Sequence, residues 1–133
     1  MEKANWFTIC ISLFGSCVGW FLGGWDGFLY ALITFVIIDY ITGVMFAIID
    51  KKISSKIGFK GIFKKVLMFA LVGIANISDK NIIGNGEAIR TAVIFFYLGN
   101  EGISILENTT KIGLPVPDKL KNILETMNKK VKK

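Results

Sequence analysis

Histidine is absent from this 133-residue sequence, which also holds only two cysteines and two prolines. Without histidine the most frequent general acid or base is missing. No Cys or His cluster has metal-ligand spacing, and there is no phosphate-cradling loop or nucleophile elbow. We therefore assign no catalytic, cofactor-binding or metal-binding residue and expect no enzyme. Cys10 and Cys17, seven positions apart on one helical face, are too distant to bridge each other and read as small buried thiols. Charge is scarce as well: 20% of residues are charged and 53% hydrophobic, with a mean hydropathy of +0.56. That balance excludes a disordered or fibrous chain and argues against an ordinary soluble domain.

What the sequence has instead is long uncharged runs. Ala4 to Trp25 is 22 residues without a formal charge, and Gly27 to Ile49 is another 23 broken only by Asp39. Each is long enough for a helix to cross a bilayer. The start of the chain lacks the basic n-region and small-residue cleavage site of a secretory signal, so the first run reads as a retained span. Gly23, Gly24, Trp25, Asp26 and Gly27 mark a reversal, flanked by Trp20, Trp25 and Tyr30 as an interfacial belt. The expected fold is an all-α integral membrane protein of about four spans, near residues 4–25, 27–49, 62–83 and 88–107, the third being the weakest. Asn81, Gly84, Asn85 and Gly86 mark the second reversal.

Basic charge is confined to two segments. Lys51, Lys52, Lys56, Lys60, Lys64 and Lys65 fill the stretch 50–65, and seven more lysines follow Asn108. Positive segments stay cytoplasmic, and only an even number of crossings between these two keeps both inside. The expected topology has both termini and the basic loop 50–65 in the cytoplasm, with Asp26 and Asn81 to Glu87 outside. Residues 1–108 form the membrane domain and 109–133 a cytoplasmic tail. In that tail Gly113, Pro115 and Pro117 break the last span, and Leu120, Ile123, Leu124, Met127 and Val131 recur at helical spacing. The spacing predicts a short basic amphipathic helix on the inner leaflet or paired with a copy of itself. Nucleic acid is an unsuitable partner, since the lysines come with no binding motif and few aromatics that stack on bases.

Small residues and intramembrane charges are the candidate functional positions. Gly15, Gly19 and Gly23 recur every four residues in the first span and form a groove for close helix packing, within one subunit or between copies. Gly43 and Ala47 continue the pattern in the second span, Gly99 and Gly102 in the fourth. Asp39, Arg90 and Glu101 are ionisable groups inside spans, which must be paired, protonated or facing water. At 1.5 Å per residue, Asp39 and Glu101 lie about 16 Å and about 10 Å from their cytoplasmic ends, within about a turn in depth. Arg90 is nearer the outer face, with Glu87 or Asp39 as its expected partner. The acids act either as a structural clasp or as gating groups.

The run Asp39, Tyr40, Ile41, Thr42, Gly43 is followed by Lys51, Lys52, Ile53, Ser54, Ser55, with Gly58, Gly61, Lys64 and Lys65. Together they resemble the signature region of the toxin-secretion and phage-lysis holins of Gram-positive bacteria. Glu101, Ser104, Ile105, Glu107, Asn108 and then Gly113, Leu114, Pro115, Val116, Pro117 resemble that family's last span and the proline turn after it. The likeness covers nearly two thirds of the chain, from Asp39 to Leu124. It implies a small protein of the bacterial cytoplasmic membrane that oligomerises and opens a lesion at a set time. The cargo leaving through the lesion is a cell-wall hydrolase (an endolysin) or a toxin. The next methionine after Met1 is Met45, so the short-armed second product of some holins is not expected. Two other readings remain: a membrane-bound lysis regulator or antiholin, and a small multi-span exporter, which the lack of an acid in the first span disfavours.

Overall fold

The computed structural model describes residues 2–84 and 86–132, with side chains from 5 to 127 in that range. Its regular structure is all helical: α1 (Glu2–Leu22), α2 (Gly27–Ile49), α3 (Ser55–Ile77) running on into a π-helical segment (Ser78–Ile83), α4 (Ala88–Ile112) and α5 (Asp118–Lys132). Three of these are long and apolar enough to cross a membrane: Asn5–Leu22, Gly27–Ile49 and Ala88–Ile112. Helix α3 is not among them, because its first half carries four lysines. Asn85, part of the expected second reversal, lies outside the described residues.

The basic stretch expected as a loop over 50–65 is a loop only as far as Ser54. The Ser54 hydroxyl accepts from the Ile57 amide at 3.5 Å and starts α3 there. A capping serine supplies an acceptor to amides that have no helical partner. Lys56, Lys60, Lys64 and Lys65 are therefore helical. The last span also runs further than 107, to Ile112, where Gly113 takes a left-handed φ of 114° and closes the helix.

Helix α4 is the centre of the bundle and touches α2, α3 and α5. Leu29, Leu32 and Val36 form one stripe of α2 and meet Val72 of α3, Ile94 and Leu98 of α4 and Leu22 of α1. Residues spaced by three and four share a helix face. The outside is the greasier part: Trp6, Phe7, Leu13, Phe14 and Trp20 of α1, and Ile37, Ile41 and Ile48 of α2, are all exposed. The interior holds Asp39, Asn76, Asp79, Arg90 and Glu101. Apolar surface outside with ionic groups inside is the arrangement that lipid as solvent selects.

Helix α1 is the least embedded. Phe21 stacks over Gly73 of α3, where no Cβ would fit. Cys10 and Cys17 are exposed, not buried: α1 packs on the core through Val18 and Phe21, and the two cysteines lie off that face. At the far end of the sequence α5 folds back along α4, and Leu124 is buried over Gly102.

Candidate functional site

Two polar clusters join the helices, one at the end of the bundle where the tight turns lie and one at mid-depth. The first begins with backbone chemistry. Gly23 and Gly24 adopt φ of 95° and 110°, a region glycine enters without steric cost. The Gly24 amide closes α1 on the Gly19 carbonyl at 2.7 Å. This turn lays Trp25 back along α1, where its indole Nε1 donates to the Gly15 carbonyl at 3.1 Å and its ring covers Gly19. Gly23 in turn lies against the side chains of Arg90 and Asn76 with no space for a Cβ. At Gly19 and Gly23 the groove is thus filled from within the chain, while a Cβ at Gly15 would meet nothing.

The last carbonyls of a helix have no partner in that helix. Here Asn76 of α3 donates through Nδ2 to the carbonyls of Trp20 and Phe21 at 3.3 and 3.0 Å. Arg90 of α4 donates through Nε to Leu22 at 2.6 Å and through Nη2 to Gly24 at 3.1 Å. A cation there also suits the negative end of the helix dipole. The fully buried guanidinium reaches Asp26 as a fork, Nη1 to Oδ2 at 2.8 Å and Nη2 to Oδ1 at 3.3 Å. Arg90 therefore pairs with Asp26, and neither with Glu87 nor with Asp39. The reason is geometric: the α1–α2 turn carries Asp26 over the start of α4, whereas Asp39 lies three turns deeper. Arg90 beside it holds the Asp26 carboxyl below the usual carboxylate range. Asp26 also caps α2, accepting from the Leu29 amide at 2.9 Å. Asp79, fully buried in the π-helical segment, caps α4 by accepting from the amides of Ile89 and Arg90 at 3.1 and 2.8 Å.

The second cluster has Lys65 at its centre. Its Nζ donates to Asp39 Oδ2 of α2 at 2.9 Å and to Glu101 Oε1 of α4 at 2.8 Å. Asn108 completes it, donating through Nδ2 to Asp39 Oδ1 at 3.1 Å and to the Thr42 hydroxyl at 3.0 Å. Counting from either end of its helix, each member of the Lys65, Asp39 and Glu101 triad lies about 15 to 20 Å in. The triad is thus at mid-depth. Two carboxylates face one ammonium, which leaves one formal negative charge over. Below it a cavity of about 470 Å³ reaches the α2–α3 loop, lined by Tyr40, Ser54, Gly58, Lys52 and Lys64 among others.

Asp39 and Glu101 match in depth, and their common partner is Lys65, whose place in the basic stretch 50–65 marks it in sequence as a loop residue. The sequence alone gives no role to Asn76 or Asp79 and no partner to Asp26 or Asn108. Each is a polar residue at a helix end or within an apolar run, and that is the signal that marks them. Gly43 has room for a methyl group beside Asn108, Ala47 lines the cavity, and Gly99 and Gly102 are buried. Lys51 and Lys52 lie in the α2–α3 loop, and Lys56, Lys60 and Lys64 are exposed on α3. Among the described residues no group of His, Cys, Asp and Glu has the geometry to hold a metal ion.

An uncharacterized 14.9 kDa protein in the nagH 3′ region of Clostridium perfringens is 38% identical over 126 residues, 95% of this chain and 96% of that one. An uncharacterized protein of Listeria monocytogenes is 45% identical over 111 residues, covering 84% of this chain and 79% of its own length. One from Bacillus subtilis is 36% identical over 107 residues, covering 80% and 76%. No solved structure matches the chain significantly. The model of the bacteriophage holin family matches residues 16–129, which takes in both polar clusters and all five helices at least in part, and the chain belongs to that family.

Proposed function

We propose that this chain acts as a holin: it collects in the bacterial cytoplasmic membrane, associates with copies of itself and opens timed lesions through which a phage endolysin, or a toxin, leaves. Family membership supports the lysis role. The observation that carries the mechanism is the triad, one lysine held between two acids at mid-depth of an otherwise apolar layer. Ionic groups at that depth are stable only while they face one another or water. A closed subunit satisfies them internally, and an open lesion satisfies them with water.

In this reading α3 also crosses, as the third of four spans. Lys65 points inward to its acids, and Lys56 and Lys60, within two turns of the start of α3, extend their stems toward the headgroups. Four crossings put both termini and the α2–α3 loop in the cytoplasm, as the positive segments require. A fall in membrane potential changes the bias on a charged group by about 2.3 kcal/mol per 100 mV, comparable with the gap of a near-balanced equilibrium. Since Trp25 and Arg90 fill the α1 groove at Gly19 and Gly23, the surfaces left for neighbouring copies are the face around Gly15 and the outward apolar side of α1 and α2.

Inducing the gene alone, and then with a co-expressed endolysin, tests the proposal. A holin stops growth abruptly after a fixed delay and frees the endolysin. An antiholin or regulator delays a second holin and does nothing alone, and an exporter confers resistance without arrest. Either of the last two results overturns the proposal.

A further inference from the structure

We propose that α5, docked along α4, is the water-facing wall of the open lesion, and that in an intact membrane the same helix is detached from α4. This rests on the hole-forming reading above and names the element that lines the hole.

The docking is specific. Leu124 is buried, and a Cβ added at Gly102 would meet both its methyl carbons at 2.8 Å. Gly102 lies about 15 Å inside the end of α4 by helix rise, so the contact is at mid-depth of a span and not at its edge. Beyond Leu124, Met127 packs against the core. A cavity of about 630 Å³ there is walled by Ala92 and Phe95 of α4 and by Ile123 and Thr126 of α5. The α5 backbone then continues to Lys132, just over two turns past Leu124, taking in positions 129, 130 and 132, which are lysines. On the docked helix Lys119, Lys121, Asn122 and Thr126 are exposed.

Helix α4 is apolar enough to cross a bilayer, so whatever flanks it at mid-depth meets lipid, protein or water. Lipid does not accept the outward polar face that Lys121, Asn122 and Thr126 form on either side of Leu124, and among the described residues no other element covers it. Water remains, and mid-depth water beside a span means a hole. Where there is no hole, α5 has a second resting place: a basic amphipathic helix lies on an anionic leaflet with its apolar side among the acyl chains. The segment between the helices, with Gly113 at φ 114°, joins the two placements.

The test is a reversible lock. In a chain with Cys10→Ser and Cys17→Ser, Gly102→Cys and Leu124→Cys place a thiol where Leu124 now sits and remove the methyl groups that would block it. The chain is reconstituted in phosphatidylethanolamine–phosphatidylglycerol vesicles loaded with a folded reporter protein. Oxidation is expected to cross-link the pair and to speed reporter release by about tenfold, the effect of a bias of about 1.4 kcal/mol between two states. Reduction is expected to restore the slower rate. A single Asn122→Cys in the same background is expected to react with an impermeant maleimide at a rate that rises when release begins. Failure to cross-link, unchanged or slower release after cross-linking, or a maleimide rate that ignores release overturns the proposal while leaving hole formation intact. If the unlocked chain releases no reporter at all, it is hole formation itself that fails.

Discussion

Arg90 binds the last carbonyl of α1, a carbonyl of the turn after it and one carboxylate from a site with no exposure. Arg90→Ala leaves the Leu22 carbonyl without its donor and Asp26 without its cation, and is expected to cost about 3 kcal/mol, measured by unfolding in detergent. Arg90→Lys, lacking the planar fork, should recover less than half of that loss. Asp26 gives the same joint a pH dependence. Its carboxyl titrates lower in the folded chain than in the unfolded one, so its contribution is complete above the ordinary carboxylate range. It is lost as pH falls through the lowered value. Melting of the native chain should therefore show an acid-side loss that Asp26→Asn lacks. At mid-depth, Lys65→Met leaves two acids facing each other and is expected to destabilise by about 3–5 kcal/mol, whereas adding Asp39→Asn and Glu101→Gln should restore most of it. These partnerships were only half legible in the sequence. The depth of Asp39 and Glu101 follows from counting turns, but the partner of Arg90 is 64 positions away, across two turns whose geometry no local pattern gives.

Helices α1 and α2 follow from run length alone, and α4 from an apolar stretch that Arg90 and Glu101 interrupt, because a span needs about 20 mostly apolar residues and little else does. Helix α3 begins seven residues earlier than its hydropathy suggests. Lysine density imitates a loop, yet lysine is a good helix former, and Lys56, Lys60 and Lys64 repeat every four residues along one side. The glycine stripe of α1 is visible as a pattern, but its occupant was open, since a groove does not state whose side chain fills it. Substitution separates the cases. Gly19→Leu must displace Trp25 and is expected to cost about 1–3 kcal/mol in detergent. A Cβ at Gly15 meets no neighbour in the chain, so the stability of Gly15→Leu should match the native value while lysis is delayed or abolished. An unchanged lysis time would remove α1 from the assembly surface.

Taken whole, the molecule has two unlike ends. The α2–α3 loop and the start of α5 lie at one, with lysines at 51, 52, 111, 119 and 121; the turns around Asp26 and Gly86 lie at the other. An impermeant thiol reagent added to intact cells should therefore label Gly86→Cys and spare Ser54→Cys in a chain freed of its native cysteines. The reverse result would invert the topology. One further consequence comes from the way α1 is seated. Asn76 and Arg90 hold it by peptide oxygens at residues 20, 21 and 22, and the stretch matched to the family starts only at residue 16. A socket that grips main chain is indifferent to what decorates the rod it holds. Exchanging residues 1–14 for a foreign greasy helix is thus expected to leave this joint intact.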